Sequence, residues 1–541
     1  MKRTERPDQL EQPGRIGRTG RGCRRVRHPD VIVVGAGGSG AALAARLSED
    51  PDRTVLLLEA GPVPRRPGAF AAELLDARLV PGAQPGHPAV QAYAVHLTAT
   101  RPYTVVRGRG LGGSTTVNGG YFVRARRDDF DRWSAVGGAA WSYDRTLPLL
   151  RALETDLDHG AGPLHGDRGP VPVRRTGLSH PAAAAFRAAA LRLGFPEEPD
   201  KNAQEPPGFG PVPSNSVDGV RVNTGIGYLL DASGRPNLSV EGGSTVLRVV
   251  VRRGRATGVE VERHGHRRLI GGGEVVLCAG AFRSPHLLQL SGIGPRRALE
   301  ALGVPVVRDA PAVGARFGDH PQVALEWTPR RPLPAPADSW LGGALHLSSQ
   351  DGDHPGDLEI LQSLVPLAGL TGGRVPVPGP GAPLAFLVSV QTPRLSGRMR
   401  TRRADPAIPP SLDYHYLSTA RDRRRMREAV RVTAELAATR AFGEVSGGLV
   451  EPGTRVLDDD RLLDRWILGR LGTAHHTCGT VPLGPADDPR AAVDRYGRVH
   501  GVGGLRVADT SILPAPPLRG PAATAVLIGE LVADAMRRGR T

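Results

Sequence analysis

The chain has 541 residues, more than a single hydrophobic core usually serves, so we expect at least two domains. A net charge of +16 would suit a nucleic-acid binder. The basic residues, however, are scattered arginines with only two lysines, Lys2 and Lys201, so no nucleic-acid partner is predicted. No apolar run reaches the roughly 20 residues of a membrane span, which excludes an integral membrane segment.

Cysteine usage and the N-terminal tail bear on localisation. Cys23, Cys278 and Cys478 are far apart and form neither a disulfide framework nor a CxxC metal pattern, so no metal site is predicted. The basic tail 1–28 lacks the apolar core of a signal peptide. We interpret it as disordered, or as an over-long translation start. The predicted location is the cytoplasm, or the inner face of the membrane.

The segment Asp30–Gly61 has the pattern of a dinucleotide-binding unit. The β-branched run Val31–Val34 predicts a buried parallel strand. It enters a G-x-G-x-x-G turn whose glycines are Gly35, Gly37 and Gly40, followed by a predicted helix. The free N–H groups at the start of such a helix favour a bound phosphate.

An acidic residue follows at the spacing that this unit requires. Glu59 ends the second predicted strand, Val55–Leu58, where an acid typically binds a ribose hydroxyl. An acid here disfavours the additional phosphate of NADP and leaves FAD and NAD as alternatives. A glycine-rich loop without a ligand would leave Glu59 unexplained.

Similar elements recur in the middle and at the end of the chain. Alternating residues predict a hairpin of Thr245–Val251 and Gly258–Val261, and short apolar runs predict strands at Glu274–Cys278 and Leu505–Val507. The region Arg330–Pro383 is rich in Pro and Gly, and we interpret it as irregular connections within a second domain.

Two helices are predicted towards the C-terminus. Arg421–Arg440 is amphipathic, and its basic cluster Arg423–Arg425 is interpreted as a solvated face. Ala522–Arg538 follows Pro521 and is also expected to be helical.

A second glycine-rich segment, Gly108–Trp133, could also approach a ligand. Its turn Gly112–Thr115 would bring backbone donors close, and Asn118 both donates and accepts hydrogen bonds. A surface loop without a ligand is the alternative that spacing alone leaves open.

Four segments together resemble the glucose-methanol-choline (GMC) family of FAD oxidoreductases. In chain order they are Asp30–Gly61, Gly108–Trp133, Gly280–Pro295 and Asp494–Glu530. The resemblance implies an α/β fold in which a Rossmann-type FAD-binding domain is interleaved with a substrate domain built on a largely antiparallel sheet. It also implies FAD rather than NAD.

The resemblance implies an alternating domain organisation. After the tail 1–28, the FAD-binding domain comprises 29–150 and 210–312, and the substrate domain comprises 151–209 and 313–466. The return segment 467–541 would carry the catalytic histidine and complete the FAD site.

The family's cofactor contacts can be transferred to matching positions. The residues that the resemblance places at FAD are Gly35, Gly37, Ser39, Gly40, Glu59, Ala60, Arg109, Gly113, Ser114, Asn118, Gly119, Gly120, Val246, Gly280, Asp509, Ala522 and Thr524. Some members attach FAD through a histidine just before the signature Asn. That position is Val117 here, so the flavin is expected to be non-covalent.

The reactive group implied by the family is His476, at the histidine of its H-x-x-G-T pattern. A neutral imidazole suits removal of a hydroxyl proton while hydride leaves the carbinol carbon. By residue type alone, His475 and His476 are better interpreted as a pair of histidines in a polar loop, and the family match reverses this interpretation for His476. We expect His475 either to line the flavin or to be structural.

One catalytic position departs from the family. Many members carry a second His or Asn about nine residues before the glycine of the IGE motif, and that count leads from Gly529 to Gly520. Either His476 acts without a partner, or Arg519 or His475 substitutes.

A narrower resemblance is to actinobacterial GMC proteins associated with the redox peptide mycofactocin. It rests on NGGYFVR, ETDLDHGAGPLHGDRGPVPVRR, HHTCGTVPLG and LRGPAATAVLIGE. It implies a dehydrogenase whose donor is a small-molecule alcohol or reduced mycofactocin and whose electrons pass towards the respiratory chain. A GMC-type alcohol or choline dehydrogenase or oxidase, and a non-redox lyase that holds FAD, are the alternatives.

Overall fold

The computed structural model describes residues 28–371, 379 and 381–540. The predicted disordered tail therefore lies, except for His28, outside the described residues. The α-helices that the structure describes are Gly38–Leu47, Ala72–Leu75, Ser114–Val117, Arg127–Gly137, Tyr143–Ala152, Pro181–Arg192, Gly280–Leu290, Arg296–Ala301, Ala420–Ala438, Arg440–Gly443, Thr454–Asp458, Asp460–Arg470 and Ala522–Arg537.

A parallel sheet, here called the nucleotide sheet, joins strands from the start, middle and end of the chain. In the described residues its order is Leu238–Glu241, Val55–Leu58, Val31–Val34, Glu274–Leu277 and Leu505–Val507, all parallel. Its central strands are buried on both faces, which explains their unbroken apolar sequence. Four of these strands were predicted, and Leu238–Glu241 was missed.

The predicted hairpin beside this sheet is confirmed and extended. Ser244–Arg252 and Arg255–Arg263 pair antiparallel about the turn at Arg253 and Gly254, and a third strand, His266–Gly271, continues the meander.

A second, antiparallel sheet, here called the substrate sheet, supports the other half of the molecule. The order of its described strands is Ser446–Leu449, Pro321–Pro329, Leu384–Val390, Leu358–Ser363, Leu341–Leu347 and Phe209–Pro211, and Gly472–Thr473 pairs with the second. The two-part architecture predicted from the resemblance is therefore confirmed. The exact domain boundaries remain a prediction.

The interpretation of Arg330–Pro383 as irregular connections is wrong. It contains two central strands of the substrate sheet, Leu341–Leu347 and Leu358–Ser363, and every residue of both is buried. Strands covered on both faces lose the alternation of apolar and polar residues that marks a half-exposed strand.

Smaller sheets complete the fold. A four-stranded sheet in the described chain runs Arg398–Arg400, Ser411–Asp413, Val90–Thr98 and Arg101–Gly108. A three-stranded one comprises Glu154–Asp156, Val171–Arg175 and Pro213–Ser214. Two-residue pairs join Ser216–Val217 to Val220–Arg221, and Ile293–Gly294 to Arg308–Asp309.

Both predicted C-terminal helices are present. In Ala420–Ala438, the apolar face packs on the substrate sheet, but the interpretation of Arg423–Arg425 as a solvated face is wrong for its last member. Arg425 is buried and bonds Asp357 at 2.6 Å. The final helix, Ala522–Arg537, packs against Gly38–Leu47 at the nucleotide sheet.

Candidate active site

A large cavity lies between the carboxyl ends of the nucleotide-sheet strands and the substrate sheet. Its volume is about 1200 Å³, and it is lined by Val34, Leu58 and Cys278 on one side and by Val323, Leu361 and Leu387 on the other. In open parallel sheets, ligands bind at this edge of the strands. The predicted site residues can therefore be located relative to one cavity.

The first glycine turn brings the backbone to the cavity surface. Gly35 has a φ of +102°, and a Cβ there would lie 2.6 Å from the carbonyl oxygen of Cys278. A Cβ at Gly113 would lie 2.7 Å from Cα of Gly37, so the two predicted glycine loops meet at the cavity. Gly40 does not line the cavity, because it packs against the backbone of the first turn.

Glu59 connects both loops by hydrogen bonds from the backbone. Its carboxylate accepts the N–H groups of Ala36 at 2.9 Å, Gly61 at 2.8 Å and Gly110 at 3.0 Å. Burial raises the pKa of Glu59, against the effect of these hydrogen bonds. Because a carboxylate offers about four acceptor positions, one remains for a ligand hydroxyl.

Neighbouring predicted residues complete the walls. Arg109 donates to the carbonyl of Ala60 at 3.1 Å, and both line the cavity. Asn118 accepts the N–H of Gly120 at 3.0 Å, and Asn118 lines the cavity while Gly120 does not. Further predicted residues that line it are Ser39, Ser114, Gly119, Val246, Gly280 and Ala522. Val117, at the attachment position, also lines it and has no nucleophile.

Asp509 stabilises the turn that closes the site from the C-terminal side. It accepts hydrogen bonds from Ser284 Oγ at 2.5 Å and from the N–H groups of Gly280 at 2.8 Å and Ser511 at 2.9 Å. Burial raises its pKa, against these donors. Thr524, predicted with this group, is buried in the final helix and does not line the cavity.

The cavity fits a dinucleotide. Its volume exceeds the 300–1,000 Å³ or so that is typical of small-ligand pockets, and its walls combine exposed glycine backbone, a buried acid and a helix start. These are the groups that bind pyrophosphate and ribose.

The predicted histidines lie in the same cavity. His476 Nδ1 is 2.9 Å from His320 Nδ1, and a Cβ at Gly520 would lie 3.5 Å from His476 Nε2. The backbone N–H of His476 donates to Asp319 at 2.7 Å, which fixes the loop. Burial lowers the pKa of His476 well below its ordinary value, and the positive charge of Arg107 acts in the same direction.

His475 occupies an unusual backbone conformation. Its φ of +65° is left-handed, and its Nδ1 is buried and forms no hydrogen bond in the described part of the chain. Burial, followed by the charge of Arg107, lowers the pKa of His475 to about 3. The ring is therefore neutral and lies in the cavity wall.

Arg519 does not replace the side chain missing at Gly520. It is fully buried outside the cavity, where it forms an ion pair with Glu198 and donates to the carbonyl of Lys201. The side chain that instead lies beside Gly520 is Tyr121, whose Cδ1 would be 3.6 Å from a Cβ there.

Sequence reasoning missed His320, Tyr121 and Glu359. His320 follows Asp319 directly before the strand Pro321–Pro329, and an acid and a histidine next to each other were a usable signal. Tyr121 and Glu359 are 238 positions apart in sequence, so their contact gave no local signal.

The Rossmann-type nucleotide site, facing an antiparallel substrate sheet across a cavity with paired histidines, defines a flavin-dependent oxidoreductase. The chain belongs to the GMC oxidoreductase family, whose N-terminal model matches residues 30–322 and whose C-terminal model matches residues 393–529.

Similar proteins support this assignment. An uncharacterised GMC-type oxidoreductase of Rhodococcus erythropolis is 40% identical over 510 residues, covering 93% of this chain and 97% of the relative. Oxygen-dependent choline dehydrogenase of Rhizobium etli is 33% identical over 539 residues, with coverage of 93% and 95%. The structure of pyridoxine 4-oxidase from M. loti superposes with a TM-score of 0.87 at 29% identity, with coverage of 94% and 99%.

The cofactor follows from the family: this enzyme uses FAD, as predicted. In the part of the chain that the structure describes, no helix is long and apolar enough to cross a membrane.

Proposed function

We propose that this enzyme is a dehydrogenase that oxidises a CH–OH group, with His476 as the proton acceptor. One observation carries the proposal: His476 lines the cavity with Nε2 beside Gly520, while its Nδ1 lies 2.9 Å from His320. Gly520 leaves space at the nitrogen that would receive the proton.

We infer the tautomer of His476 from its contact with His320. When two Nδ1 atoms are in hydrogen-bond contact, one carries a proton and the other offers a lone pair. We infer that the neutral His320 ring carries its proton on Nε2, which has no hydrogen-bond partner among the described residues. His320 Nδ1 then accepts from His476 Nδ1, and His476 Nε2 is free to act as a base.

The residues around the cavity would hold FAD without a covalent bond. Backbone N–H groups near Gly37 would face the pyrophosphate, Glu59 a ribose hydroxyl and Val246 the adenine, with Asn118 near the isoalloxazine and Asp509 near the ribityl chain. When bound, FAD supplies the acceptor for the hydride that leaves the carbinol carbon. The helix that starts at Ala522 would favour negative charge at its end of the cavity.

The finer assignment is a role in mycofactocin-linked alcohol metabolism. The donor would be a small-molecule alcohol or reduced mycofactocin, and a component of the respiratory chain would accept the electrons. The subfamily resemblance supports this role, and the similarity to an oxygen-dependent choline dehydrogenase supports an alcohol donor. A cytoplasmic location, or one at the inner face of the membrane, fits such electron transfer.

Anaerobic reduction of the bound flavin tests the function. A panel of alcohols and reduced mycofactocin is mixed with the yellow holoenzyme, and absorbance is followed by stopped flow. We expect at least one donor to bleach the flavin. Holoenzyme that no donor bleaches, but that cleaves a cyanohydrin, would support the non-redox lyase instead.

The mode of attachment has a separate test. Acid precipitation should release the flavin into the supernatant, because Val117 offers no nucleophile. Flavin that stays in the washed pellet would show a covalent bond.

A further inference from the structure

A buried carboxylate interrupts an apolar wall of the cavity. Glu359 is 2% exposed and lies on the strand Leu358–Ser363, two positions before Leu361. Because alternate residues of a strand share a face, both side chains line the cavity, together with Trp340 and Leu387. Buried acids are rare unless they are paired, so the partners of Glu359 are informative.

One oxygen of this carboxylate is held by two donors. Oε2 accepts the hydroxyl of Tyr121 at 3.0 Å and lies 3.0 Å from Nε2 of His346. Nζ of Lys201 is 3.2 Å from Nδ1 of His346. Since an ammonium group only donates, Nδ1 must accept and Nε2 must carry the proton that it donates to Glu359.

The other oxygen has no such partner. No hydrogen bond reaches Oε1 of Glu359 from any residue that the structure describes, although Glu359 lines the cavity. Oε1 is therefore the acceptor that Glu359 offers to a cavity ligand that donates a hydrogen bond.

Fixed cations behind the carboxylate compensate its charge. Lys201 bonds Glu198 at 2.9 Å, Arg519 forms an ion pair with the same acid, and Arg126 lies 3.6 Å from it. With Glu359 ionised, these buried groups comprise three cations and two anions. The cavity wall at Glu359 therefore has no excess negative charge that would bind every cation. Hydrogen bonding to Glu359 should instead decide which substrates bind.

The carboxylate lies near the reacting end of the cavity. Tyr121 and His476 both lie beside Gly520: a Cβ there would be 3.6 Å from Tyr121 Cδ1 and 3.5 Å from His476 Nε2. Tyr121 thus connects the neighbourhood of the proton acceptor to Glu359. A substrate whose reacting hydroxyl contacts His476 would direct its remaining atoms along this wall.

We propose that Glu359, with Tyr121, selects alcohols that carry a second O–H or N–H donor on an otherwise hydrocarbon body, such as diols and amino alcohols. The inference rests on the proposed function. It disfavours trimethylammonium alcohols, which have no N–H to donate to Oε1.

Paired substrates test the selection. The rate and apparent Kd of anaerobic flavin reduction are measured for 1,4-butanediol and for 1-pentanol, which replaces one hydroxyl by a methyl group. We expect the wild-type enzyme to prefer the diol by about tenfold or more. Glu359→Leu should abolish or reverse this preference, and Tyr121→Phe should reduce it. Glu326→Gln, at an exposed acid on the strand Pro321–Pro329, is the matched control.

A second variant tests the inference if Glu359→Leu does not fold or does not bind FAD. If Glu359→Leu fails to retain FAD, Glu359→Gln keeps the shape of the side chain but would direct an amide N–H₂ into the cavity. An amino alcohol carries an ammonium group that only donates hydrogen bonds. Its rate of flavin reduction should therefore fall at least tenfold relative to that of the diol in this variant.

The outcomes are distinguishable. Two results would overturn this inference alone: an unchanged diol preference in Glu359→Leu, or an amino alcohol that keeps its rate relative to the diol in Glu359→Gln. A third result would also overturn it. If choline reduces the flavin better than 3,3-dimethylbutan-1-ol, and Glu359→Gln removes that advantage, then Glu359 binds the positive charge of the substrate and does not select for a second O–H or N–H donor. If no alcohol reduces the wild-type flavin, the proposed function itself fails.

Discussion

Nδ1 of His320 and Nδ1 of His476 lie 2.9 Å apart, although 156 positions separate the two residues in sequence. His320 is fully buried, and burial lowers its pKa to about 3, so the ring stays neutral and offers a lone pair. His320 directly precedes the strand Pro321–Pro329 of the substrate sheet, and through this contact it orients His476 on the C-terminal segment. The contact between His320 and His476 should therefore affect the rate at which His476 removes the hydroxyl proton.

His476→Ala should slow flavin reduction by roughly 10²–10⁴-fold, the usual contribution of a general base, while FAD stays bound. His475→Ala is the matched comparison. It should slow flavin reduction less, because the neutral ring of His475 only forms part of the cavity wall. Stopped-flow bleaching of both variants gives the answer. A fully active His476→Ala enzyme would remove the proposed base, and equal losses would mean that the histidines act as a unit.

His320→Ala should slow the same step by roughly tenfold to a thousandfold, less than loss of the base, because His320 holds a tautomer and does not contact substrate. His320→Gln retains an acceptor and should recover part of the rate. The apparent Kd for the alcohol should change little in either variant. A large change in Kd with an unchanged limiting rate would instead indicate a role in substrate binding.

The pH dependence should differ from that of an ordinary histidine. Burial and the positive charge of Arg107 lower the pKa of His476, so the base remains unprotonated at lower pH than usual. The limiting rate of flavin reduction should therefore be constant from about pH 6 to pH 9 and fall only below that range. A rate that still rises through pH 7 would show that the base titrates normally. The same scan in His475→Ala tests whether the adjacent ring contributes to the decrease.

Local patterns predicted the nucleotide half of the site well. The strand–turn–helix around Gly35 and the acid at Glu59 are close in sequence, and each has a stereochemical reason for its position. The substrate half was predicted poorly for two reasons. The strands Leu341–Leu347 and Leu358–Ser363 are covered on both faces, and the contact of Tyr121 with Glu359 exists only through the tertiary fold.

Glu59→Gln should weaken FAD binding by about tenfold to a hundredfold. The carboxylate accepts three backbone N–H groups, and an amide would place N–H₂ against at least one of them. Loss of a charge-assisted hydrogen bond costs on the order of 1.5–3 kcal/mol. Equilibrium dialysis of the apoprotein with FAD measures the change in affinity. Asp52→Asn is the control, because Asp52 is an exposed acid just before the strand Val55–Leu58 that Glu59 follows. An unchanged affinity of Glu59→Gln for FAD would show that Glu59 does not bind the ribose.

The last prediction concerns an ion cluster away from the cavity. His165 contacts Asp156 at 2.9 Å, Asp200 at 2.8 Å and Glu154 at 3.1 Å. Burial alone would lower the pKa of His165, but its hydrogen bonds to these acids outweigh that effect and raise the pKa to about 10.

His165→Gln should lower the free energy of unfolding at neutral pH by about 2 kcal/mol, because Glu154, Asp156 and Asp200 would then share only the cations of Arg124 and Arg175. Since the folded-state pKa is raised, the stabilisation is complete below the unfolded value of about 6.5 and is lost as pH rises through about 10. The difference between wild type and variant in denaturant unfolding should therefore shrink between these values. His159→Gln, at the exposed ring stacked on His165, is the control and should change stability little. A difference that stays constant up to pH 10 would show that His165 is not the charged group of the cluster.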